Sequence, residues 1–242
     1  MKNQKRILAL AVAFLALASG TPPARSGDDH DAKVKEAAAQ SVKAGKVFDE
    51  IMHTPDKAIP RELLAHAKAV AVFPQVIKAA FLIGGEGGRG VVSRRTSAGW
   101  SNPVFFRAAG GSVGPQIGAS ATDIVLLFMN DDAVGSLMKD KFELGTDAAV
   151  AAGPVGREAG TGTDALMRAE ILSYSRSRGL FAGINLKGVV IRPEDDLNQA
   201  VYSKNAHELL VDDRRQAADD GTNIPAFPQA VSRYPATSSA SH

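Results

Sequence analysis

The stretch Ile124-Val125-Leu126-Leu127-Phe128-Met129 is apolar at every position, and it points to the fold class. A strand with one face in water alternates apolar and polar residues, so an unbroken apolar run of this length predicts a strand buried on both faces. We therefore expect this strand to lie at the centre of the core.

Other short apolar runs precede this strand, and Gly, Pro, Asn and Ser separate them. Such spacing predicts a largely antiparallel sheet. A hairpin is predicted from Arg168 to Ile191, with its turn at Gly179 and with alternate apolar residues on one face. The predicted strands are Val70–Phe73, Ala79–Ile83, Val91–Ser93 and Val104–Arg107, and the alternating hairpin residues are Leu180, Ala182, Ile184, Leu186 and Val190.

Helical periodicity occurs mainly before the predicted sheet. From Ala32 to Met52, apolar residues recur at helical spacing while lysines occupy other positions, which predicts an amphipathic helix with a basic side. A second helix is predicted over Pro60–Ala69, and short capping helices over Asp131–Met138 and Pro193–Tyr202. The predicted class is α+β, with a largely antiparallel sheet core, N-terminal amphipathic helices and short capping helices.

The chain ends have a different composition. Lys2, Lys5 and Arg6 precede the apolar Ile7–Leu17, and Ala16-Leu17-Ala18 resembles a cleavage site, so residues 1–18 are predicted to be a signal peptide. Retention of this segment as an uncleaved anchor is the alternative. We expect a flexible leader at 19–31, one domain at 32–212 and a flexible tail at 213–242. The protein is therefore expected to be exported, and to be periplasmic or associated with the envelope.

Composition narrows the possible functions. The formal net charge of +2 is too small to indicate a nucleic-acid-binding protein, so no nucleic acid is expected as a partner. The chain has no cysteine, and hence neither a disulfide framework nor a lipid-modified cysteine. Its five histidines are scattered and its acidic pairs are adjacent in sequence, so no metal site and no cofactor are expected.

Two sequence patterns suggest chemistry that their surroundings do not support. Gly85 to Gly90 matches the dinucleotide-binding pattern of three glycines, but the following residues predict a strand instead of a helix, which favours a Gly-rich turn. Gly110 to Gly114 matches the nucleophile elbow of hydrolases around Ser112, but Pro115 follows and no helix is predicted there. No catalytic residue is therefore predicted, and a serine hydrolase that uses Ser112 is kept only as an alternative. Trp100 is expected to be buried.

Local clusters of cations remain as the clearest functional signal. Between Lys68 and Arg107, Glu86 is the only acidic residue, whereas there are six basic ones: Lys68, Lys78, Arg89, Arg94, Arg95 and Arg107. A positive surface near a basic amphipathic helix favours anionic lipid headgroups, and each nearby basic residue contributes about 1 kcal/mol. The alternative is that these residues only keep the surface soluble.

Five sequence blocks, in this order, resemble SYLF domains. They are Ala71-Val72-Phe73-Pro74, Gly84 to Gly90, Trp100-Ser101-x-Pro103, Gly153-Pro154-x-Gly156, and Ser173-Tyr174-Ser175-Arg176-Ser177-x-Gly179-Leu180-Phe181-Ala182-Gly183. The resemblance extends roughly from Ala32 to Leu210. It implies a lipid-binding module, because eukaryotic members bind phosphoinositides partly through a basic N-terminal segment, and bacterial relatives are exported proteins.

The resemblance and the cation clusters together give a predicted lipid site. Its residues are Lys33, Lys35, Lys43, Lys46, Lys68, Lys78, Arg89, Arg94 and Arg95. Some relatives also bind actin filaments, but actin binding is not expected in a bacterial envelope. The leading hypothesis is non-enzymatic binding of anionic phospholipid or a membrane surface. The alternative is a structural or stress-related envelope scaffold that binds a protein partner.

Overall fold

The computed structural model of the protein describes residues 26–55, 58–81, 83–113, 118–155, 169–177, 180–181, 186–211 and 223–235. The predicted signal peptide lies outside these residues. By its internal contacts the chain divides into residues 1–32 and residues 33–242, and the described helices and strands belong to the second unit apart from the start of the first helix.

The first helix, α1, runs from Ser26 to Met52. It begins six residues before the predicted start at Ala32, so residues 26–31, expected to belong to a flexible leader, are helical. Two acidic residues in the first turn, Asp28 and Asp29, favour this longer helix because negative charge stabilises a helix N-terminus. The other helices are α2 at Arg61–His66, α3 at Asp131–Leu137, α4 at Asp195–Tyr202, α5 at Ala206–Val211 and α6 at Ala226–Ser232.

The strands form one sheet with the order β6-β10-β4-β2-β1-β5-β8-β7, with β3 paired to β2 and β9 paired to β8. Each pairing is antiparallel except that of β7 with β8. The predicted α+β class with a largely antiparallel sheet is confirmed. The strands are β1 Ala69–Phe81, β2 Ile83–Thr96, β3 Gly99–Trp100, β4 Val104–Val113, β5 Gly118–Phe128, β6 Phe142–Glu143, β7 Val150–Ala152, β8 Ile171–Ser177, β9 Leu180–Phe181 and β10 Val190–Pro193.

Strand β5 contains the apolar stretch Ile124–Met129 except for its last residue. It lies between β1 and β8, and every residue from Ile124 to Met129 is buried. Its alternate residues belong to two apolar clusters on opposite faces, Val125 and Leu127 on one and Leu126 and Phe128 on the other. The prediction of a central strand buried on both faces is confirmed.

Helices cover both faces of the sheet. The first cluster, here called the α1 face, packs against apolar residues of α1, α2, α4 and α6. The second cluster packs against α3 and α5. The predicted short helices are therefore confirmed, and none of their ends differs from the prediction by more than three residues. Asn130 caps α3 by accepting a hydrogen bond from the Ala133 amide, 2.8 Å away. Among the described residues, no helix is long and apolar enough to cross a membrane.

The glycine-rich segment is a strand and not the predicted turn. Gly84 to Gly90 pairs with β4 on one side, and its first residues also pair with β1 on the other. The expected close backbone approach is confirmed at Gly90, where a Cβ atom would lie only 2.6 Å from the Val72 carbonyl oxygen. The predicted run Val70–Phe73 and most of the run Ala79–Ile83 lie in the single strand β1, which has a bulge between Phe73 and Val76, whereas Ile83 begins β2.

The predicted hairpin from Arg168 to Ile191 is confirmed only in its first half. Strand β8 pairs with β9, with Arg176 opposite Phe181, and the predicted turn at Gly179 lies outside the described residues. Val190 does not continue this hairpin, because β10 pairs with β4 and β6 instead. The chain turns just before β10 at Gly188, whose φ of 88° strongly favours glycine.

The C-terminal segment differs most from its prediction. Residues 223–235 were expected to belong to a flexible tail, but α6 packs against α1 and buries Phe227 completely. Ser41 of α1 donates a hydrogen bond to the Ile224 carbonyl, at 2.6 Å, and accepts one from the Phe227 amide, at 3.0 Å. The segment is ordered because α1 supplies the apolar surface that its own composition lacks.

Candidate functional site: a basic groove beside the first helix

A groove of about 360 Å³ lies between α1 and the bulged part of β1 and β2. It contains charged, apolar and backbone groups close together. Its lining residues are Glu36, Ala39, Gln40, Lys43, Pro74, Gln75, Ile77, Gly87, Gly88 and Arg89.

The bulge in β1 forms one wall of the groove. Gln75 adopts a left-handed conformation, with φ of 50°, and its amide donates a hydrogen bond to Asp123 Oδ1 at 2.9 Å. This bond holds a conformation that is unusual for a residue with a side chain. Beyond the bulge, the large apolar side chain of Ile77 is 58% exposed. The bulge therefore leaves an apolar side chain in water at the edge of the groove.

Helix α1 lies close to the sheet along the opposite wall. Ala37 and Ala44 are fully buried, and such small side chains allow a helix backbone to approach the strands. Gln40 is also buried, and its side-chain amide donates a hydrogen bond to the Gly90 carbonyl at 2.7 Å. The position of α1 beside β2 is thus fixed by packing and by a buried polar contact.

Arg89 is bound at the inner end of the groove by two carboxylates. Its Nε atom donates to Glu194 Oε1 at 2.9 Å, and its guanidinium also pairs with Glu36 of α1. Arg107 donates to the same Glu194 oxygen at 2.9 Å. Glu194 is buried, and its other carboxylate oxygen has no hydrogen-bond partner among the described residues.

The buried Glu194 is positioned by the junction of β10 and α4. Its amide donates to the Phe105 carbonyl at 2.9 Å. Asn198, in the first turns of α4, accepts from the Phe105 amide at 2.9 Å and donates to the Phe105 carbonyl at 3.1 Å. Phe105 is two residues before Arg107 in β4. The three bonds to Phe105 therefore place Glu194 beside Arg107.

Lys43 is the second basic residue of the groove. It is exposed on α1 and forms no ion pair with any described residue. The structure therefore brings together two of the predicted lipid-site residues, Lys43 and Arg89, on opposite walls of one groove. Arg89 is partly neutralised by its carboxylate partners, whereas the ammonium group of Lys43 is available to an external anion.

Two further predicted lysines accompany Lys43 on the outer side of α1. With 3.6 residues per turn, Lys35, Lys43 and Lys46 fall within a sector of about 80°. Lys35 and Lys46 are exposed, and Lys46 lies 4.0 Å from Glu50 in a pair that contributes little at the surface. Lys33 is only partly exposed. It lies on the same side of α1 as the later residues of this helix that face the sheet.

The remaining predicted residues do not line the groove. Lys68 is exposed. Its backbone amide donates a hydrogen bond to the Phe128 carbonyl, and its carbonyl accepts one from the Arg95 amide. The side chain of Lys78 lies outside what the structure describes. Arg94 donates to the Leu210 carbonyl at 2.7 Å, which links β2 to α5.

Arg95 has partners that give it a structural role. It donates to the carbonyls of Ala67, at 3.0 Å, and Leu64, at 2.9 Å, which lie at the C-terminal end of α2. Its guanidinium lies 4.2 Å from the ring centre of Trp100, which is buried as predicted. Burial lowers the pKa of Arg95. The assignment of Arg94 and Arg95 to a lipid site stays a prediction, and these contacts do not add to it.

The two catalytic patterns lack the local structure that their chemistry needs. The three-glycine pattern lies within β2 and leads into more strand, so no helix N-terminus is there to hold a pyrophosphate. Ser112 lies in β4 opposite Gly84, and the next described element is the strand β5. Within the described parts of the chain, no three His, Asp or Glu residues lie close enough to hold a metal ion.

Sequence comparison gives the family. The family described as "Las17-binding protein actin regulator" (Ysc84) matches residues 109–224. The rat SH3 domain-containing YSC84-like protein 1 is 36% identical over 191 residues, which are 76% of this chain and 56% of that protein. The human protein of the same name is 35% identical over 191 residues, again 76% of this chain and 56% of its own.

A fungal protein is similar to the same degree. LAS seventeen-binding protein 3 of Saccharomyces cerevisiae is 35% identical over 194 residues, which are 78% of this chain and 41% of that protein. The chain thus spans about half the length of the curated relatives it matches. These relatives are named for binding or for their domains. Together with the ordered sequence blocks and the mixed helix and sheet fold, the matches identify the chain as a member of the SYLF-domain family.

Proposed function

We propose that this protein is a non-enzymatic module that binds anionic phospholipid at the cell envelope through the groove beside α1. The observation that carries the proposal is the meeting of Lys43, Arg89 and the exposed Ile77 around one opening. A basic residue can attract a headgroup, while an apolar side chain beside it can enter the boundary between headgroups and acyl chains.

The outer side of α1 extends this surface. Lys35 and Lys46 lie in the same sector of the helix as Val42, a large apolar residue that is itself exposed. Each basic residue near an anionic membrane contributes about 1 kcal/mol, so three lysines give a useful but salt-sensitive attraction. The proposal therefore needs several weak contacts and no deep cavity for a lipid.

Export of the chain belongs to the same proposal. The basic and apolar segment at residues 1–18 is typical of a signal peptide, and an envelope protein would meet anionic phospholipid at the membrane surface. Analysis of the N-terminus of the protein recovered from the producing cell checks this part. A start near residue 19 is expected, and an intact Met1 in a cytoplasmic fraction would contradict it.

Vesicle co-sedimentation tests the function. The chain from Ser19 onwards is mixed with vesicles of phosphatidylglycerol and phosphatidylcholine, or of phosphatidylcholine alone, at low salt and at 1 M salt. Binding to the anionic vesicles only, and its loss at high salt, are expected because the screening length falls from about 10 Å at 0.1 M to about 3 Å at 1 M. Protein that stays in the supernatant with both vesicles at low salt would refute the proposal.

Charge-reversal variants separate the groove from the other cations. Lys43→Glu is expected to weaken binding by more than tenfold, because it removes an attraction and adds a repulsion. Lys139→Glu, at an exposed position just after α3, is the matched control. Lys68→Glu and Lys78→Glu test the wider site predicted from the sequence. Equal losses for Lys43→Glu and Lys139→Glu would show that only the overall charge matters.

A protein partner is the second candidate, and the names of the relatives favour it. The yeast protein and the matched family are named for binding Las17. A scaffold role here would require a protein ligand in the envelope, with the cations only keeping the surface soluble. Specific capture of one envelope protein by a chain that binds neither type of vesicle would favour this candidate.

A further inference from the structure

Three arginines stand side by side across three neighbouring strands. Arg89 of β2 is opposite Arg107 of β4, and Arg107 is opposite Arg192 of β10. Residues opposite each other in an antiparallel sheet point to the same face, with Cβ atoms about 5 Å apart. The row, called here the arginine ladder, is on the α1 face, because Val91 and Phe105, two residues from Arg89 and Arg107, belong to that cluster.

The arginine ladder carries more positive charge than its neighbours neutralise. Like charges directly opposite each other in a sheet are destabilising. Two carboxylates contact the ladder, Glu194 and Glu36, so three positive and two negative charges leave a net charge of +1. Arg192 is exposed and forms no ion pair with any residue in the described ranges. A purely structural network would not need this third arginine.

The ladder is both ordered and accessible. Glu194 accepts hydrogen bonds from Arg89 and Arg107 through one oxygen, which holds the two guanidinium groups next to each other. Both arginine side chains are about half exposed, whereas the Glu194 side chain is buried. Each guanidinium has five N–H donors, so most donors of this pair remain for another acceptor. The buried carboxylate thus orients two cations toward the surface.

Glu36 has a different position from Glu194. It comes from α1, its side chain is 43% exposed, and it pairs with Arg89, whose side chain is 48% exposed. Another oxyanion, planar or tetrahedral, can therefore replace the Glu36 carboxylate beside Arg89. The displaced carboxylate can remain in water, so no charge is left buried without a partner. Loss of Glu36 from the ladder would raise its net charge from +1 to +2, counted as three arginines against Glu194 alone.

We propose that Arg89, Arg107 and Arg192 form a binding site for a phosphate ester, and that Glu36 occupies part of this site when no ligand is bound. Arginine suits phosphate because its N–H groups can bind two oxygens at once. The phosphate ester can be part of a lipid headgroup or a free molecule. The lipid source rests on the proposed function. If the phosphate ester is a lipid headgroup, the ladder is the headgroup subsite next to the groove.

Binding of glycerol 3-phosphate, measured by calorimetry, tests the site without a membrane. Glu36→Gln is expected to tighten binding about fivefold, the equivalent of about 1 kcal/mol for one charge, since the internal competitor is removed. Arg192→Gln is expected to weaken binding about fivefold while the melting temperature stays equal or rises, since a repulsion is removed. A structural role alone predicts neither change.

Glu50→Gln is the matched control for Glu36→Gln. Glu50 is also on α1, its side chain is 42% exposed, and it also pairs with a sheet arginine, Arg176. The Arg176 side chain is only 14% exposed, however, so loss of Glu50 should change stability without improving the binding of glycerol 3-phosphate. Equal effects of the Glu36 and Glu50 variants on binding would overturn the proposal, as would unchanged binding in Arg192→Gln.

Vesicles of phosphatidylglycerol with phosphatidylcholine identify the source of the phosphate ester. If the Glu36 and Arg192 variants change vesicle binding in opposite directions, the ladder is a lipid headgroup subsite. If they change only the binding of glycerol 3-phosphate, the ladder takes free phosphate esters. If vesicles bind but no variant has an effect on either probe, the ladder proposal fails and the proposed function stands. If neither probe binds to any form, both fail.

Discussion

Arg176 belongs to the most recognisable sequence block of the chain, and its role is structural. It lies at the end of β8 and donates hydrogen bonds to Asp123 Oδ2, at 2.8 Å, and to Glu50 Oε2, at 2.6 Å. Burial lowers the pKa of Arg176, but the hydrogen bonds to Asp123 and Glu50, together with the negative charges of these two carboxylates, raise that pKa by more. Asp123 also holds the bulge residue Gln75 through its other oxygen. One arginine thus links α1, β5, β8 and the wall of the groove.

Replacement of Arg176 is expected to be much more costly than replacement of an exposed arginine. In Arg176→Met, Asp123 loses its partner at a site where both side chains are about 15% exposed, so the free energy of unfolding should fall by about 3 kcal/mol. The control is Arg233→Met: Arg233 pairs with Asp49 but is 56% exposed, so its loss should cost at most about 1 kcal/mol. Urea unfolding measures both, and equal losses would contradict this role.

At the residue scale, the sequence predicts charges better than their partners. The local excess of cations around Arg89 is visible in the sequence, but its buried partner Glu194 is not, since that residue is 87 positions after Arg107. The same limit applies to Arg95, whose partners at the end of α2 are 28 and 31 positions away. Whether a cation is free or paired depends on strand register, and this is a property of the folded sheet.

At the element scale, α6 shows why composition alone misjudged the C-terminus. Its few apolar residues could not form a core by themselves, yet Phe227 and Val231 enter the cluster of α1. Phe48 of α1 contacts Phe227 edge to face, with ring centres 6.4 Å apart, and Tyr234 at 5.8 Å. The apolar side of α1 could be predicted from its periodicity, but the element that would cover it could not.

Truncation of the buried ring tests the docking of α6. Phe227→Ala is expected to lower the free energy of unfolding by about 3 to 5 kcal/mol, the usual cost of removing a buried phenylalanine side chain. Gln229→Ala, on the same helix but only partly buried, should cost less than about 1 kcal/mol. Equal, small losses in urea unfolding would mean that the segment is the loosely attached tail expected from its composition.

The docked segment also predicts a loss of stability at alkaline pH. Burial and a hydrogen bond to Asp49 raise the pKa of Tyr234 to about 12, from about 10 in an unfolded chain. The folded state therefore holds this proton more tightly, so the stabilisation is complete below pH 10 and is lost as the pH rises from 10 to 12. Burial also raises the pKa of Tyr174, so this residue likewise contributes to the loss of stability as the pH rises.

Tyr234→Phe separates the two tyrosines. This variant should lose less stability than the wild-type chain between pH 9 and pH 11.5, because the contribution of Tyr234 is removed. Urea midpoints at the two pH values measure the difference. Parallel loss in both proteins would show that Tyr234 does not contribute to the pH dependence.

At the scale of the whole molecule, the α+β class and the central strand followed from apolar runs and their spacing. The sheet order did not, because β10 pairs with β4 and β6 although it follows β9 in the chain. The groove could not be predicted either. The groove forms where the bulge in β1, the glycines of β2 and the small residues of α1 lie next to each other. The sequence around each of these features predicts only its local structure, and not that the three are neighbours in the fold.

Contact between the groove beside α1 and an anionic membrane can be measured with a single fluorescent label. The chain has no cysteine, so Ile77→Cys and Val211→Cys each give one labelling site, at positions where the native side chains are 58% and 54% exposed. Val211 ends α5, which packs on the face of the sheet away from α1. With phosphatidylglycerol vesicles, an environment-sensitive dye at position 77 should shift to the blue and the dye at position 211 should not. Equal shifts at both positions, or none at position 77 while the protein binds vesicles, would contradict the account.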